Sequence, residues 1–170
     1  MPKINVGDIV KPPVQTEPMT EDYRGVPVAK RTWYRFFLEL FYRGYWNDVA
    51  YDSTMFTGNG TIVWTVDSGD QVQFGFTQIG KTIIVAFWIT TTTVAGVGSE
   101  LWIALPFKHT NNRKVLVPVH VNDNGTHATG YAYSMPSDSV LRISKVDGSN
   151  WSAATNTTGV VGEVALEIEG

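Results

Sequence analysis

The sequence predicts an all-β protein, an antiparallel β-sandwich of the jelly-roll kind, with an extended N-terminal arm and one short α-helix. From residue 54 onward about eight β-prone runs follow one another, separated by turn sequences. Aromatic residues make up 12% of the chain and charged residues only 17%, a balance that favours sheets over helices. Helices do not alternate with these runs, which argues against an α/β fold.

Residues 1–27 are predicted to form the extended arm. Five of the eight prolines lie there, and each proline removes a backbone donor and favours extended geometry in the residue before it. Isolated apolar side chains are interspersed, so we expect the arm to dock in a groove on another protein. The alternative is a disordered tail, which is common at chain termini. The predicted docking residues are Ile4, Val6, Ile9, Val10 and Val14.

Residues 28–46 are predicted to form an aromatic helix and its connection to the sandwich, which then occupies residues 47–170. Apolar residues recur at spacings of three and four over residues 28–43, which is the helical period, and Gly44 follows where a helix would end. Aromatic side chains occupy more than one side of this helix, so we expect a second copy of the chain to cover some of them. The predicted oligomer contacts are Trp33, Phe36, Phe37, Leu40 and Phe41.

The strands of the sandwich are predicted from runs of β-branched and aromatic residues. Gly80-Lys81 and Asn122–Gly125 are hairpin turns between consecutive strands, and residues 90–98 are predicted to be a connection. Pro118 places its strand at an edge or a bulge. The predicted strands are residues 61–66, 72–79, 82–89, 101–105, 114–121, 126–134, 139–145 and 160–168.

The predicted core takes its residues from these strands. We expect Trp88 and Trp102, which lie inside strands, to be buried as well. The remaining core residues are Ile62, Trp64, Val85, Phe87, Ile103 and Leu141.

Charge and cysteine content exclude several function classes. The net charge is −3 and no lysine or arginine block exceeds two residues, so we expect no nucleic-acid partner, because phosphate contacts need a basic face. The chain has no cysteine, which excludes disulfides, thiol catalysis and cysteine-ligated zinc. The beginning of the sequence lacks the apolar run of a signal peptide, and no stretch is long enough to cross a membrane. Synthesis in a reducing cytoplasm is therefore expected, without membrane insertion.

The residues that carry chemistry favour a protein that is not an enzyme and needs no cofactor. His120 and His127 flank one hairpin turn and, with Asp123, are weak candidates for a metal site; a solvent-facing histidine pair is the more common arrangement. Two pairs of carboxylates have the residue types of a glycosidase site, but all four lie in turn sequences, where aspartate is favoured for backbone reasons. These pairs are Asp67 with Asp70 and Asp138 with Asp147.

Three aromatic residues are candidates for contact with a glycan. Tyr131 and Tyr133 alternate on one predicted strand, so they share a face, and Trp151 follows a turn and is the best candidate for an exposed tryptophan. Exposed rings of this kind stack on sugars. The alternative for Trp151 is a ring that covers one end of the sandwich.

The region from Trp64 to Phe107 contains a strand that ends in an aromatic-rich Ile-Gly turn, a long apolar strand and a Leu-Pro element, and Trp151 follows later. This pattern resembles the small β-sandwich modules of tailed-bacteriophage virion proteins, especially tail-fibre and spike head domains. The resemblance implies a homotrimeric virion appendage whose arm docks on other virion proteins and whose sandwich points outward. It implies no catalytic residues. A host surface glycan is the further partner that the three aromatic candidates indicate. The alternatives are a neck, collar or capsid-decoration protein, a carbohydrate-binding module, and a polysaccharide-degrading enzyme.

Overall fold

The structure is a computed structural model. It describes residues 45–106 and 111–167, the backbone of residues 20–23 and 26–29, and Trp33. The chain divides into two compact units, residues 1–45 and residues 46–170.

The first unit contains a β-hairpin. Strands Thr20–Tyr23 (β1) and Val26–Ala29 (β2) pair antiparallel, with Thr20 opposite Ala29. The prediction that the helix begins at residue 28 is therefore wrong, because Val28 and Ala29 belong to β2. The valines around Pro27 favour extended geometry, and proline disfavours helix in the residue before it. Trp33 is helical and half-buried, and the rest of the predicted helix lies outside the described residues.

The second unit is built from one curled antiparallel sheet. Its strand order is β3-β6-β7-β12-β9-β10-β11-β8-β4, and β5 pairs with β7 beside β6. The strands are Asn47–Asp48 (β3), Phe56–Gly58 (β4), Val63–Thr65 (β5), Gln71–Ile79 (β6), Thr82–Ala95 (β7), Glu100–Ala104 (β8), Val115–Asp123 (β9), Thr126–Ser134 (β10), Val140–Lys145 (β11) and Ala154–Glu167 (β12), and Ser53–Met55 is a short 3-10 helix.

The curl brings distant strands together around one apolar interior. The ring of Phe56 on β4 meets that of Trp64 on β5 edge to face at 5.4 Å, and Phe74 on β6 lies 6.3 Å from Phe56. Within the regular stretches of the strands, alternate residues point inward, as the pleat requires. The prediction of an all-β antiparallel fold is confirmed. So is the predicted burial of six core residues, Ile62, Trp64, Val85, Phe87, Ile103 and Leu141.

The predicted hairpin turns are confirmed. Ile79 pairs with Thr82, which leaves the two-residue loop Gly80-Lys81, and Gly80 has φ 61°. Asp123 pairs with Thr126 around Asn124 and Gly125, with φ 49° and 81°. Positive φ at both central residues is the type I′ geometry that matches the twist of the flanking strands.

Strand β7 contains a β-bulge that the sequence prediction missed. Ile89 pairs with Val160 and Thr92 with Thr158, so Thr90 and Thr91 together oppose the single residue Gly159. The bulge exchanges the two faces of the strand: odd-numbered residues are buried up to Ile89, and even-numbered residues after it. The prediction that residues 90–98 are a connection is wrong as far as Ala95, because β-branched threonines continue the strand.

Asp70 holds this bulge in place. Thr91 has φ 56°, a conformation that costs a β-branched residue free energy. Its hydroxyl donates to Asp70 Oδ1 at 2.7 Å, and the amide of Thr90 donates to the carbonyl of Asp70 at 2.9 Å. The other carboxylate oxygen accepts from the amide of Asp67 at 2.9 Å. The carboxylate of Asp70 thus stabilises a turn and a bulge at the same time.

Pro118 lies where β9 has a single described partner. β9 pairs with β10 along its whole length, and Pro118 is opposite Tyr131. Pairing with β12 is limited to His120–Asn122. Pro118 therefore occupies a local edge, as predicted, where a missing backbone donor is tolerated.

Candidate functional site

The outer face of four neighbouring strands carries aromatic and apolar side chains in two ladders. The cross-strand register places these residues side by side on β8, β11, β10 and β9. Leu116 is exposed by 55%, and Tyr131, Tyr133 and Trp102 are half-buried. We call this region the outer aromatic surface. Its ladders are Trp102–Arg142–Tyr133–Leu116 and Glu100–Ser144–Tyr131–Pro118.

One carboxylate fixes two of the rings. Trp102 Nε1 donates to Glu100 Oε2 at 2.7 Å, and the hydroxyl of Tyr133 donates to Glu100 Oε1. Hydrogen bonds to an ionised acceptor are about twice as strong as neutral ones. The two rings are therefore held in one orientation before any ligand arrives.

A guanidinium group fills the space between the rings. Arg142 Cζ lies 5.5 Å from the centre of the Trp102 ring, within the range of a cation–π contact. Its Nε and one terminal nitrogen donate to the two carboxylate oxygens of Asp138 at 3.1 Å and 3.0 Å. This bidentate pair fixes the position of the guanidinium beside the indole. The pKa of Arg142 is raised, first by its hydrogen bond to Asp138.

The hydroxyl of Tyr133 resists deprotonation. Burial, and then the hydrogen bond to Glu100, raise the pKa of Tyr133 to about 12. A tyrosinate beside Glu100 would lose that hydrogen bond and face a like charge. The phenol is therefore a neutral donor throughout the physiological range.

This shift predicts a pH dependence of stability. The pKa of Tyr133 is higher in the folded chain than its ordinary value of about 10. The protonated phenol therefore contributes its full share to the free energy of unfolding below pH 10, and this contribution is lost as the pH rises towards 12. Between pH 9.5 and 11.5 we expect the free energy of unfolding to fall more steeply in the natural protein than in Tyr133→Phe. Urea unfolding of both proteins across this range measures the difference, and parallel curves would contradict it.

The predicted glycan residues are only partly brought together. Tyr131 and Tyr133 do share the outer face of β10. The expectation that Trp151 is exposed is wrong, because the ring is 3% exposed. The amide of Trp151 donates to the carbonyl of Gly98 at 2.9 Å, which draws the ring over one end of the interior, as in the alternative.

A nearly buried ion pair lies beside Trp151. Lys145 Nζ is 2.7 Å from Asp123 Oδ2 and 6.0 Å from the centre of the Trp151 ring, and both charged side chains are less than 15% exposed. Lys145 also donates to the carbonyl of Asn150, and the amide of Ser152 donates to Asp123 Oδ1 at 2.9 Å. This set closes one end of the curled sheet.

The two histidines around the hairpin turn are in contact. His120 Nε2 and His127 Nδ1 are 2.9 Å apart, the rings stack at 5.1 Å, and both side chains are exposed. Asp123 does not join them. Asp123 is opposite Thr126, the neighbour of His127 on β10. Because successive side chains of a strand point to opposite faces, the Asp123 side chain projects from the other face of the hairpin. No group of three or more histidine, cysteine, aspartate or glutamate side chains is arranged for a metal among the described residues.

The two carboxylate pairs have local partners. Asp70 holds the bulge and Asp138 binds Arg142, while Asp147 accepts from the amide and the hydroxyl of Ser149 at 2.9 Å and 2.8 Å. Hydrogen bonds from Ser149 lower the pKa of Asp147. These contacts are the backbone roles that the turn sequences predict.

Other predicted residues lie elsewhere. Trp88 is 47% exposed, so its predicted burial is wrong. Trp102 is half-buried on the outer face, and the prediction that it belongs to the core is also wrong. Both tryptophans follow an inward-pointing neighbour, and strict alternation along the strand places them outside. The arm residues Ile4, Val6, Ile9, Val10 and Val14 and the helix residues Phe36, Phe37, Leu40 and Phe41 lie outside the described residues.

Sequence reasoning missed Glu100 and Arg142 as members of the surface. The signal that marks them is alternation, since each lies next to a buried residue of its strand, Leu101 and Leu141 respectively. Arg142 is opposite Tyr133 through the pairing of the consecutive strands β10 and β11. Glu100 reaches Tyr133 only through the pairing of β11 with β8, which the order of the strands along the chain does not indicate.

In the part of the chain that the structure describes, no helix is long and apolar enough to cross a membrane. Comparison with protein-family models, with curated proteins and with solved structures finds no match for this chain.

Proposed function

We propose that this chain is a structural protein of a bacteriophage virion, a homotrimeric appendage of the tail-fibre or spike type that takes part in attachment to the host. The observation that carries the proposal is the outer aromatic surface, where Tyr131 and Tyr133 lie beside exposed Leu116. The rings of Tyr133 and Trp102 are held in place by Glu100 and are partly exposed. Such rings lose little conformational entropy on binding, which is what a recognition surface needs.

The sequence resemblance between Trp64 and Phe107 supports the same proposal, and so does the all-β fold. The finer fold that we propose is a jelly-roll-like sandwich. Contact between Phe56 and Trp64, and between Phe56 and Phe74, supports it. Phe56 lies on β4, which ends the sheet order, whereas β6 and β5 lie near the other end, next to β7. In the proposed particle the N-terminal arm docks on other virion proteins and the predicted aromatic helix joins the three copies.

The ligand proposed for the outer aromatic surface is a glycan of the bacterial envelope. The Tyr131 and Tyr133 side chains are two residues apart on one strand, so their rings are spaced by roughly 7 Å along it, a distance suited to neighbouring sugar units. Glu100 and Arg142 border the rings and offer an acceptor and a donor to hydroxyl groups. Apolar rings with a few oriented polar groups are the usual composition of small-ligand sites.

Binding of the purified full chain to lipopolysaccharide and capsular polysaccharide preparations tests this function. We expect Tyr131→Ala and Tyr133→Ala each to weaken binding by roughly 30-fold, the effect of losing about 2 kcal/mol at a binding hot spot. The control is Ile79→Ala, which removes an apolar side chain that is 61% exposed on β6, away from this surface. Equal losses in the control, or no loss in the tyrosine variants, would contradict the proposal.

A mass measurement by light scattering tests the assembly. A trimer supports the appendage. A monomer that still binds glycans through Tyr131 and Tyr133 would instead favour the second candidate function, a carbohydrate-binding module, which the same surface would suit. A neck, collar or capsid-decoration role differs in where the arm docks, and labelling the protein in assembled particles separates these positions.

A further inference from the structure

We propose that His120, His127 and Asn122 form a binding site for one divalent transition-metal ion of the Cu²⁺, Ni²⁺ or Zn²⁺ group. The site lies on the outer face of the β9–β10 hairpin. It uses none of the tyrosines of the outer aromatic surface, so it stands independently of the proposed function.

The separation of the two imidazoles fits chelation. His120 Nε2 and His127 Nδ1 are 2.9 Å apart. Two nitrogens bound to one ion at about 2.0–2.1 Å lie roughly 2.9 Å apart at a right angle and roughly 3.4 Å apart at the tetrahedral angle. The observed separation is that of a hydrogen bond between the two rings, and it is close enough to both values for one ion to bridge the two nitrogens once the rings turn towards it.

A third potential ligand lies on the same face. Asn122 is directly opposite His127 in the ladder and two residues from His120 on β9, so the three side chains project from one side of the hairpin. The amide oxygen of Asn122 is buried and has no hydrogen-bond partner. An unsatisfied buried acceptor is costly and calls for a ligand, an ion or a water molecule. An amide oxygen is also a suitable ligand for such an ion.

The hairpin holds these ligands close together without a metal. The type I′ turn at Asn124 and Gly125 fixes the register of the two strands. Within the pair, one imidazole N–H faces the other ring nitrogen. On metal binding the donating ring moves this proton to its own remote nitrogen, and small rotations of the exposed rings aim both lone pairs at the ion. No net proton release is required, and the remaining coordination positions stay open to solvent.

Isothermal titration calorimetry of the full chain, prepared without a histidine tag, tests the site with NiCl₂, CuCl₂ and ZnCl₂. We expect saturable one-to-one binding, tightest for Cu²⁺. His120→Ala and His127→Ala should each weaken it by roughly 100-fold or more, beyond the 10–100-fold cost of losing a second-shell partner. The chain has three histidines, and His109→Ala is the matched control, expected to bind within about twofold of the natural protein.

Two further measurements define the ligand set. Asn122→Ala should weaken binding and Asn122→Asp should strengthen it, because a carboxylate is the stronger oxygen ligand. The electron paramagnetic resonance spectrum of the Cu²⁺ complex should show coupling to two nitrogens, and to one nitrogen in each histidine variant. At a metal concentration about 100 times Kd, the melting temperature should rise by roughly 5–10 °C.

Three results would overturn metal binding by the histidine pair, and a fourth would remove Asn122 from the site. One is no saturable binding up to about 1 mM metal. The second is histidine variants that bind like the natural protein, and the third is equal weakening by His109→Ala. If Asn122→Ala and Asn122→Asp both bind like the natural protein, the amide is not a ligand and the three-residue site is wrong.

Discussion

Replacing Phe87 by alanine should lower the free energy of unfolding by about 3–5 kcal/mol, the usual cost of truncating a buried phenylalanine. Phe87 is 2% exposed in the middle of β7. Its ring and the side chain of Val119 together occupy the space beside Gly162 on the neighbouring strand, since a Cβ at that glycine would lie 3.1 Å from Phe87 Cζ and closer still to Val119 Cγ1. Removal of the ring leaves a cavity that the rigid sheet cannot close.

The control is the adjacent residue. Trp88 points to the opposite face and is 47% exposed, so Trp88→Ala should change the free energy of unfolding by less than about 1 kcal/mol. Thermal unfolding of the two variants measures the contrast, with a drop in melting temperature of roughly 10 °C or more for Phe87→Ala. Similar losses in both variants would mean that the two faces of β7 are wrongly assigned.

Removing Lys145 from its ion pair should also be costly. Lys145→Met leaves Asp123 nearly buried without its cation, and breaking such a pair from one side costs about 3 kcal/mol. The hydrophobic part of the lysine is retained in methionine, so the loss reports mainly on the charge. Denaturant unfolding gives the free energy of each variant.

A double-mutant cycle with Asp123→Asn separates the pair from its surroundings. We expect the double variant to be less destabilised than the sum of the two single variants, because the unpaired charge is then gone. The matched control is Arg113→Met, which breaks the exposed pair with Glu167 at 2.8 Å and should cost less than about 1 kcal/mol. A loss in Lys145→Met as small as in this control would show that the pair is solvated.

The fold was predictable where the determining signals are local. The alternation of Val85 and Phe87, the Gly80 turn and the Asn124-Gly125 turn each specify a strand face or a hairpin within a few residues. The bulge at Thr91 was not predictable in this way. It depends on Asp70, 21 residues away along the chain, and the threonine run has no glycine to mark the irregularity.

In the candidate sites, too, contacts within one strand or hairpin could be predicted from the sequence, and contacts between distant strands could not. Tyr131 with Tyr133, and His120 with His127, lie on one strand or one hairpin, so their meeting follows from the sequence. Glu100 reaches Tyr133 through the pairing of β8 with β11 and of β11 with β10. The position of Trp151 depends on its backbone bond to Gly98. Neither long-range pairing leaves a pattern in the sequence around these residues.

The pairing of β7 with β12 has a consequence for how the protein reaches its fold. These two 14-residue strands are neighbours in the interior of the sheet order, and the hydroxyl of Thr92 donates to the carbonyl of Thr158, 66 residues away along the chain. Closing so long a loop is entropically expensive before any contact stabilises it, so folding is expected to be slow, in the range of milliseconds to seconds. During synthesis β7 is made before β12, so its apolar residues remain uncovered until β12 has been added. A nascent chain at that stage presents an open edge to its neighbours.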